Sequence, residues 1–247
     1  MSLAPGIFYP LFNFRFYSEF ISEKFPSVKT IPSVSVFIFF IITTQVFASE
    51  DPGIATQELT ALLGNMKTTS ANFTQTVMDA RDNVLQHSSG VMKIKRPLRF
   101  VWNTIEPYEQ LIVSNGESMW VYDKDLEQVT IQALNKEAGD TPTLLFSGDP
   151  ELLHQHFEVR EGNPEKQGVQ NMKTFDLYPK DPDAAFNMMS ISFENNKLIA
   201  MELKDHLGQR TDISFYKIKL NPKLKDQLFV FEAPKGVDVI YNTPPAQ

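Results

Sequence analysis

The pattern of apolar and polar positions changes once along the chain. Residues 54–67 carry apolar positions at the spacing of one stripe of an amphipathic helix, namely Ala55, Leu59, Leu62, Leu63 and Met66. From Phe73 onward apolar positions alternate with polar ones, which is the period of a β-strand with one buried face. The pattern therefore predicts one helix followed by a long β region.

Turn residues divide the β region into about eleven short strands. Ser114-Asn115-Gly116 is the clearest hairpin signal, because Asn-Gly supplies the positive φ angles that a tight turn demands. Short antiparallel strands in such number predict a single, mainly β (α+β) domain with a strongly curved sheet or barrel. The predicted strands are 71–80, 87–95, 99–105, 109–114, 118–123, 126–133, 156–161, 172–179, 187–194, 197–204 and 210–220, with short additions at 229–231 and 237–240.

Two short helices are predicted between the strands. Thr141 is a capping residue, Pro142 follows at the first helical position, and Gly148 closes the segment. Asp149 and Pro150 repeat the same start at once. Helices below about 12 residues are marginal unless they pack on something. We therefore expect a movable flap, with two ordinary connecting turns that fill a core as the alternative.

The segment 96–102 carries an informative charge. If it is extended, four positions point to one side: Arg96, Leu98, Phe100 and Trp102. Pro97 favours extended geometry at the residue before it. A guanidinium at the rim of an apolar interior must find acceptors, such as carbonyls of whatever covers that interior. The alternative is a snorkelling surface arginine at a strand end.

The first 48 residues differ from the rest, since they hold ten of the twenty phenylalanines. Residues 34–42 form an apolar run that is shorter than the ~20 residues a spanning helix needs. The small residue Ala48 follows shortly after, so residues 28–48 are predicted to be a signal peptide cleaved after Ala48. Residues 1–27 look like a spurious upstream extension, with Val28 as the true start. Residues 49–247 form the mature domain.

Charge and composition exclude several function classes. The formal net charge of −7 argues against nucleic acid and anionic membrane surfaces as partners. The chain has no cysteine, so disulfides, thiolate metal sites and a cysteine nucleophile are excluded. A domain of this length can build its own core without such cross-links.

Candidate catalytic or metal-binding residues are few. His154 and His156 have acidic neighbours, which would suit zinc. In a helix, however, that spacing places the two rings on different faces, so solvated surface histidines are the better interpretation. Carboxylates near hairpin turns are expected to be solvated as well: Glu106, Glu109 and Asp123. We therefore expect neither catalysis nor a metal or other cofactor.

Several motifs occur in an order typical of one family. Asn72-Phe73-Thr74-Gln75 follows the first helix, and Lys95-Arg96-Pro97 comes next with Phe100 and Trp102. The later segments are Leu111–Gly116 with Trp120-Val121-Tyr122, then Thr141-Pro142, and last Phe229-Val230-Phe231 with Pro234-Lys235-Gly236-Val237. In this order, from about Thr56 to Val239, the chain resembles the periplasmic outer-membrane lipoprotein carrier proteins (LolA family).

The resemblance implies an incomplete antiparallel barrel covered by a lid of three helices. It also implies a periplasmic carrier that takes acylated lipoproteins from an inner-membrane ABC exporter and hands them to an outer-membrane receptor. We expect a monomer. The alternative function is a related half-barrel that senses lipoproteins and binds a signalling partner without transferring the ligand between membranes.

The resemblance also assigns site residues. An arginine matching Arg96 holds the lid closed through lid backbone carbonyls. Matching positions of the acyl-chain cavity are Leu59, Leu63, Phe100, Trp102, Ile112, Leu145 and Phe146. Arg99 departs from the pattern as a second charge, and its opposite parity predicts that it faces solvent.

The exported protein is predicted to begin at Ser49. The apolar run and the small residue Ala48 place signal-peptide cleavage there. The intact mass of the protein recovered from the periplasm measures this directly. A product that retains residues 1–27 would contradict both the cleavage site and the start at Val28.

Overall fold

The computed structural model describes residues 52–134, 149–163 and 172–242. Within them, helix α1 spans Pro52–Gly64, helix α2 spans Pro150–His156, and a short 3-10 helix spans Asp226–Phe229. The strands are β1 Thr68–Met78, β2 Val84–Lys95, β3 Arg99–Glu106, β4 Gln110–Asn115, β5 Ser118–Asp123, β6 Gln128–Ala133, β7 Phe157–Glu161, β8 Met172–Pro179, β9 Met188–Glu194, β10 Lys197–Lys204, β11 Arg210–Leu220 and β12 Asp238–Asn242.

All these strands belong to one open, curved sheet. Their order is β12-β6-β5-β4-β3-β2-β1-β11-β10-β9-β8-β7. β12 and β7 are the two edges, and in the described residues they do not pair with each other, so the barrel is incomplete. The predicted fold is confirmed.

The C-terminal part of the sheet corrects two expectations. β12 runs parallel to β6, whereas the other neighbours are antiparallel. Parallel pairing needs a crossover rather than a hairpin, and the long segment after β11 supplies it. The strand predicted at 229–231 does not form, because Phe229 ends the 3-10 helix and the Val230 N–H donates to the Gln227 carbonyl.

Alternation places an apolar layer on the inner face of the sheet. Along β1 the buried positions are every second residue, as in Ala71, Phe73 and Val77. α1 lies over this face and also packs against β7 and α2. Its stripe of Leu59, Leu62 and Leu63 belongs to the same buried cluster as the inner-face residues. The helix is needed there, because a concave apolar face must be shielded from water.

A second apolar layer covers the outer face of β3–β6. Val113 on β4 and Val129 on β6 point outward and are buried, and the 3-10 helix after β11 contacts β3 and β4. Phe229 is 1% exposed, and Phe231 packs its ring near those of Trp120 and Tyr122, with centroids 6.3 and 5.9 Å away. Residues 226–231 thus serve as a cover for the outside of the sheet.

Arg99 has a definite partner on this outer face. Its Nη1 lies 2.8 Å from Asp226 Oδ1, and Lys95 Nζ lies 2.6 Å from the same oxygen. The outward direction of Arg99 is as predicted, but solvation alone does not describe it. The hydrogen bond from Lys95 and the neighbouring positive charges lower the pKa of the Asp226 carboxyl. These contacts tie the 3-10 helix to the sheet.

Turn chemistry matches the sequence signals with one refinement. Gly116 has a φ of 97°, but the φ of Asn115 is not positive. Asn115 acts instead through its side chain, whose Oδ1 accepts hydrogen bonds from the backbone N–H groups of Glu117 and Ser118. At the β9–β10 turn, Asn195 and Asn196 both adopt positive φ.

The segment 96–102 is not one extended run. β2 ends at Lys95 and β3 begins at Arg99, so Arg96 to Leu98 form the turn between them. Leu98 has a φ of 57°, which breaks the alternation on which the shared direction of Arg96, Phe100 and Trp102 was predicted. Arg96 therefore occupies the end of the hairpin rather than a strand position.

α2 begins as predicted. Asp149 is its N-cap, and its Oδ1 accepts a hydrogen bond of 3.0 Å from the Glu151 N–H, with Pro150 at the start of the helix. Leu153 is buried in the interior cluster, so this helix covers part of the inner face. The helix predicted at 141–148, and with it Leu145 and Phe146, lies outside the described residues.

Gly90 is expected to resist any side chain. A Cβ there would lie 2.1 Å from the Asn103 carbonyl oxygen and 2.7 Å from the Phe73 ring. Gly90→Ala should lower the free energy of unfolding by about 1–3 kcal/mol, measured by urea denaturation. Gly64→Ala is the control, since no atom lies within 4 Å of its Cβ. It should be neutral or stabilising by about 0.5–1 kcal/mol, and equal effects of the two substitutions would contradict the close approach at Gly90.

Candidate functional site

The centre of the interior is a group of aromatic rings on neighbouring strands. Phe73 stacks on Trp102 with ring centroids 4.1 Å apart, and Phe215 meets Trp102 edge-on at 6.2 Å. Phe73 reaches Trp102 because its cross-strand neighbour Gly90 has no side chain to block the ring. These rings give the inner face a continuous apolar floor.

The predicted cavity positions lie in one buried cluster as far as the structure describes them. α1 contributes Leu59 and Leu63 from above, and the sheet contributes Phe100, Trp102 and Ile112 from below, each no more than 4% exposed. The helix and the sheet thus bury one another's apolar side chains. A ligand that occupied the space between these residues would have to separate them.

Arg96 lies at the end of α1 rather than over its middle. Its Nε donates a hydrogen bond of 3.0 Å to the Met66 carbonyl, and its backbone N–H donates to the Lys67 carbonyl, also at 3.0 Å. Burial lowers the pKa of Arg96 to about 10, so the guanidinium stays charged at neutral pH. A charged donor is thereby fixed on carbonyls where α1 passes into β1.

Asn221 completes this anchor from the other side. Its Nδ2 donates a hydrogen bond of 3.0 Å to the Asn65 carbonyl, while its Oδ1 accepts from the Thr68 N–H at 3.3 Å. The carbonyls of residues 65–67, left without helical partners, are therefore all satisfied by Arg96 and Asn221. Sequence reasoning missed Asn221. The Asn-Pro pair at residues 221–222 signals a turn, but nothing local shows that the turn meets α1.

A band of uncharged polar side chains borders the aromatic group toward the opposite end of the barrel. We define this polar band as Gln75, Ser88, Thr104 and Gln110. Gln75 and Ser88 are direct cross-strand neighbours, and Thr104 pairs with Gln110. All four occupy the positions that alternate with the outward ones, so they belong to the inner face.

The other chemical candidates have structural surroundings of their own. Asp123 is buried rather than solvated, and its Oδ1 accepts a hydrogen bond of 3.0 Å from the Leu126 N–H at the β5–β6 turn. Glu109 forms an ion pair with Lys124, whereas Glu106 is exposed.

The two histidines differ from each other. His154 is exposed as predicted, but His156 is half-buried with an enclosed Nε2, because it sits where α2 runs into β7. The described residues contain no group of three or more His, Asp or Glu side chains placed to hold a metal ion. Their helices are also too short or too polar to cross a membrane.

Comparisons with known proteins agree with this architecture. The family described as "Outer membrane lipoprotein carrier protein LolA" matches residues 64–232. A relative from Hahella chejuensis, named outer-membrane lipoprotein carrier protein, is 44% identical over 75% of this chain and 88% of its own length. Relatives of the same name from Pseudomonas aeruginosa and Legionella pneumophila are 42% and 40% identical, covering 78% and 82% of this chain and 90% and 96% of theirs. The chain therefore belongs to the LolA family of outer-membrane lipoprotein carrier proteins.

Proposed function

We propose that this protein binds the acyl chains of lipoproteins released from the inner membrane and delivers them to the outer membrane. The observation that carries the proposal is an apolar interior closed by a helix that is tied down at one end by polar contacts. Leu59 and Leu63 on α1 face Phe100, Trp102 and Ile112 on the sheet, and these five would contact the acyl chains. We assign Leu145 and Phe146 to the same role.

The closed interior explains why binding would be reversible. Burying one methylene is worth ~0.8 kcal/mol, so a long acyl chain gains on the order of 10 kcal/mol from leaving water. A protein that collected this gain in full from several chains would not release them. Here the ligand must first separate apolar side chains of α1 and the sheet that already bury one another, which offsets much of that gain.

Arg96 would make a second contribution to the free-energy cost of opening the interior. A hydrogen bond from a charged donor is worth about 1.5–3 kcal/mol, and Arg96 donates to the Met66 carbonyl just after the last residue of α1. Lifting α1 strains or breaks that bond. We propose that Arg96 thereby favours the closed, empty state and promotes release of the lipoprotein.

The proposed route has one partner at each membrane. An inner-membrane ABC exporter would load the protein, and an outer-membrane receptor would unload it. The chain acts in the periplasm, as this family does. We propose that residues 49–247 form the carrier as a monomer, after residues 28–48 have directed export. Asp123 and Glu109 are engaged in a turn and a surface ion pair, which supports carriage rather than catalysis.

The test of this function is the content of the protein isolated from its native periplasm. Mass spectrometry of co-purifying molecules should find triacylated lipoproteins in the wild type. They should be reduced in Trp102→Glu, which places an unpaired carboxylate in the interior. Finding only free fatty acids or phospholipids would contradict a lipoprotein carrier.

Arg96→Leu should impair release more than uptake. The substitution removes the charged donor to the Met66 carbonyl, so it weakens the closed, empty state relative to the filled state. Since about 1.4 kcal/mol corresponds to one decade, retention of lipoprotein should rise tenfold or more. The measurement is the fraction of labelled lipoprotein still on the protein after incubation with outer-membrane acceptors.

Arg99→Leu is the matched control for this variant. It removes a guanidinium from the same hairpin, but one that pairs with Asp226 on the outer face. Its transfer rate should equal that of the wild type, since exposed ion pairs contribute little. If Arg96→Leu also transfers at the wild-type rate, Arg96 does not govern closure.

A further inference from the structure

The polar band contains two buried groups whose hydrogen-bonding capacity is unused. Gln75 and Ser88 are 6% and 3% exposed, yet neither side chain forms a hydrogen bond within the described residues. Buried polar side chains nearly always have a partner, because an unmet amide or hydroxyl costs free energy. An inward-facing pair of this kind therefore needs an explanation.

Their polar atoms still reach accessible space. In the described chain, four side-chain atoms are fully enclosed and have no partner: Thr60 Oγ1, Thr69 Oγ1, His156 Nε2 and Asp212 Oδ1. The polar atoms of Gln75 and Ser88 have no partner either but are not among these four, so they are not fully enclosed. Thr104 and Gln110 continue the band on the next two strands and are half-buried. The band therefore presents amide and hydroxyl donors to a molecule that enters the barrel from this side.

The chemistry of the band favours neutral acceptors. It contains two amides and two hydroxyls and no charged group. Asp123 is the acid across from Gln110 on the inner face, and its Oδ1 already accepts from the Leu126 N–H. Arg96 follows the far end of β2, about 25 Å from Ser88 at ~3.3 Å per residue. Ester and amide carbonyls suit such donors better than a phosphate does.

The distance along the inner face fits an acyl chain attached to that group. From Ser88 to Ile94 the inner positions of β2 continue as Gly90 and Met92 beside the aromatic rings, a length of about 20 Å. One acyl chain covers half of the ~30 Å hydrocarbon core of a bilayer, or roughly 15 Å. A chain that starts at the polar band would end before the turn that holds Arg96.

We propose that the polar band binds the ester carbonyls of the diacylglyceryl group of a lipoprotein, while its acyl chains run along the aromatic group toward the Arg96 end. This inference rests on the proposed carrier function. It adds a recognition site for the linkage between the chains and the protein cargo. Gln75 and Ser88 are the specificity-determining residues, since they are the buried members of the band without partners.

The experiment compares two synthetic lipopeptides on the same protein. One carries the natural S-dipalmitoylglyceryl cysteine, and the other has both ester bonds replaced by ethers, which removes the carbonyls and keeps the chains. The wild type should bind the ester form about three- to tenfold more tightly, the value of one neutral hydrogen bond. In Gln75→Leu and in Ser88→Ala this ratio should fall toward one.

The ratio separates recognition from general effects on folding or apolar affinity, because both ligands are measured on each variant. Ser89→Ala is the matched control, as the next residue on the same strand faces outward, and it should keep the wild-type ratio. If Gln75→Leu does not fold, the smaller Ser88→Ala truncation reports the same ratio. A phosphatidylethanolamine with the same chains should bind more weakly than the ester lipopeptide, because the band has no cation for its phosphate.

The outcomes distinguish this inference from the function it rests on. Equal binding of ester and ether forms by the wild type, or an unchanged ratio in both variants, overturns ester recognition and leaves the carrier function intact. Phosphatidylethanolamine binding as tight as the lipopeptide overturns the assignment to lipoproteins. Binding of neither lipopeptide overturns the carrier function and the recognition site together.

Discussion

The structure depends on how one apolar concave face is kept from water. An open sheet that alternates apolar and polar side chains exposes its inner face unless another element covers it. α1 covers it, with Leu59 and Leu63 fully within the shared cluster. The helix is only 13 residues long, and helices of this length have little stability of their own in water. Its position therefore rests on packing and on the bonds at its end.

The bonds at its end hold one part of α1 in place, whereas the rest of the helix is held mainly by packing. Arg96 and Asn221 hold the carbonyls of residues 65–67, where α1 joins β1. Toward its middle, α1 is linked to the sheet by apolar contacts and by the surface ion pair of Glu58 with Lys173. Surface ion pairs contribute little, so the bonds at the end of α1 are the main polar contacts that opening of the interior must strain. This arrangement suits exchange between an empty, self-packed interior and one that holds acyl chains.

Much of the fold could be predicted from the sequence, because the residues of the inner face recur at every second position along each strand. The alternation from Phe73 onward predicted the strands, and Asp149-Pro150 predicted the start of α2. Local sequence rules failed where contacts between distant segments determine the position of a residue. Arg96 sits in a turn that the period does not show, and Asn221 meets α1 although 156 residues separate it from Asn65. The parallel strand β12 likewise follows from a crossover over the outer face.

The most direct measurement asks whether acyl chains enter the interior, and the two tryptophans of the chain allow it. Trp102 lies in the aromatic group inside, whereas Trp120 lies near Phe231 on the outer face. A lipopeptide with brominated acyl chains quenches only tryptophans that it contacts. Trp120→Phe, which leaves Trp102 as reporter, should be strongly quenched, and Trp102→Phe should keep its fluorescence. Quenching of Trp120 with Trp102 unaffected would contradict an interior binding site.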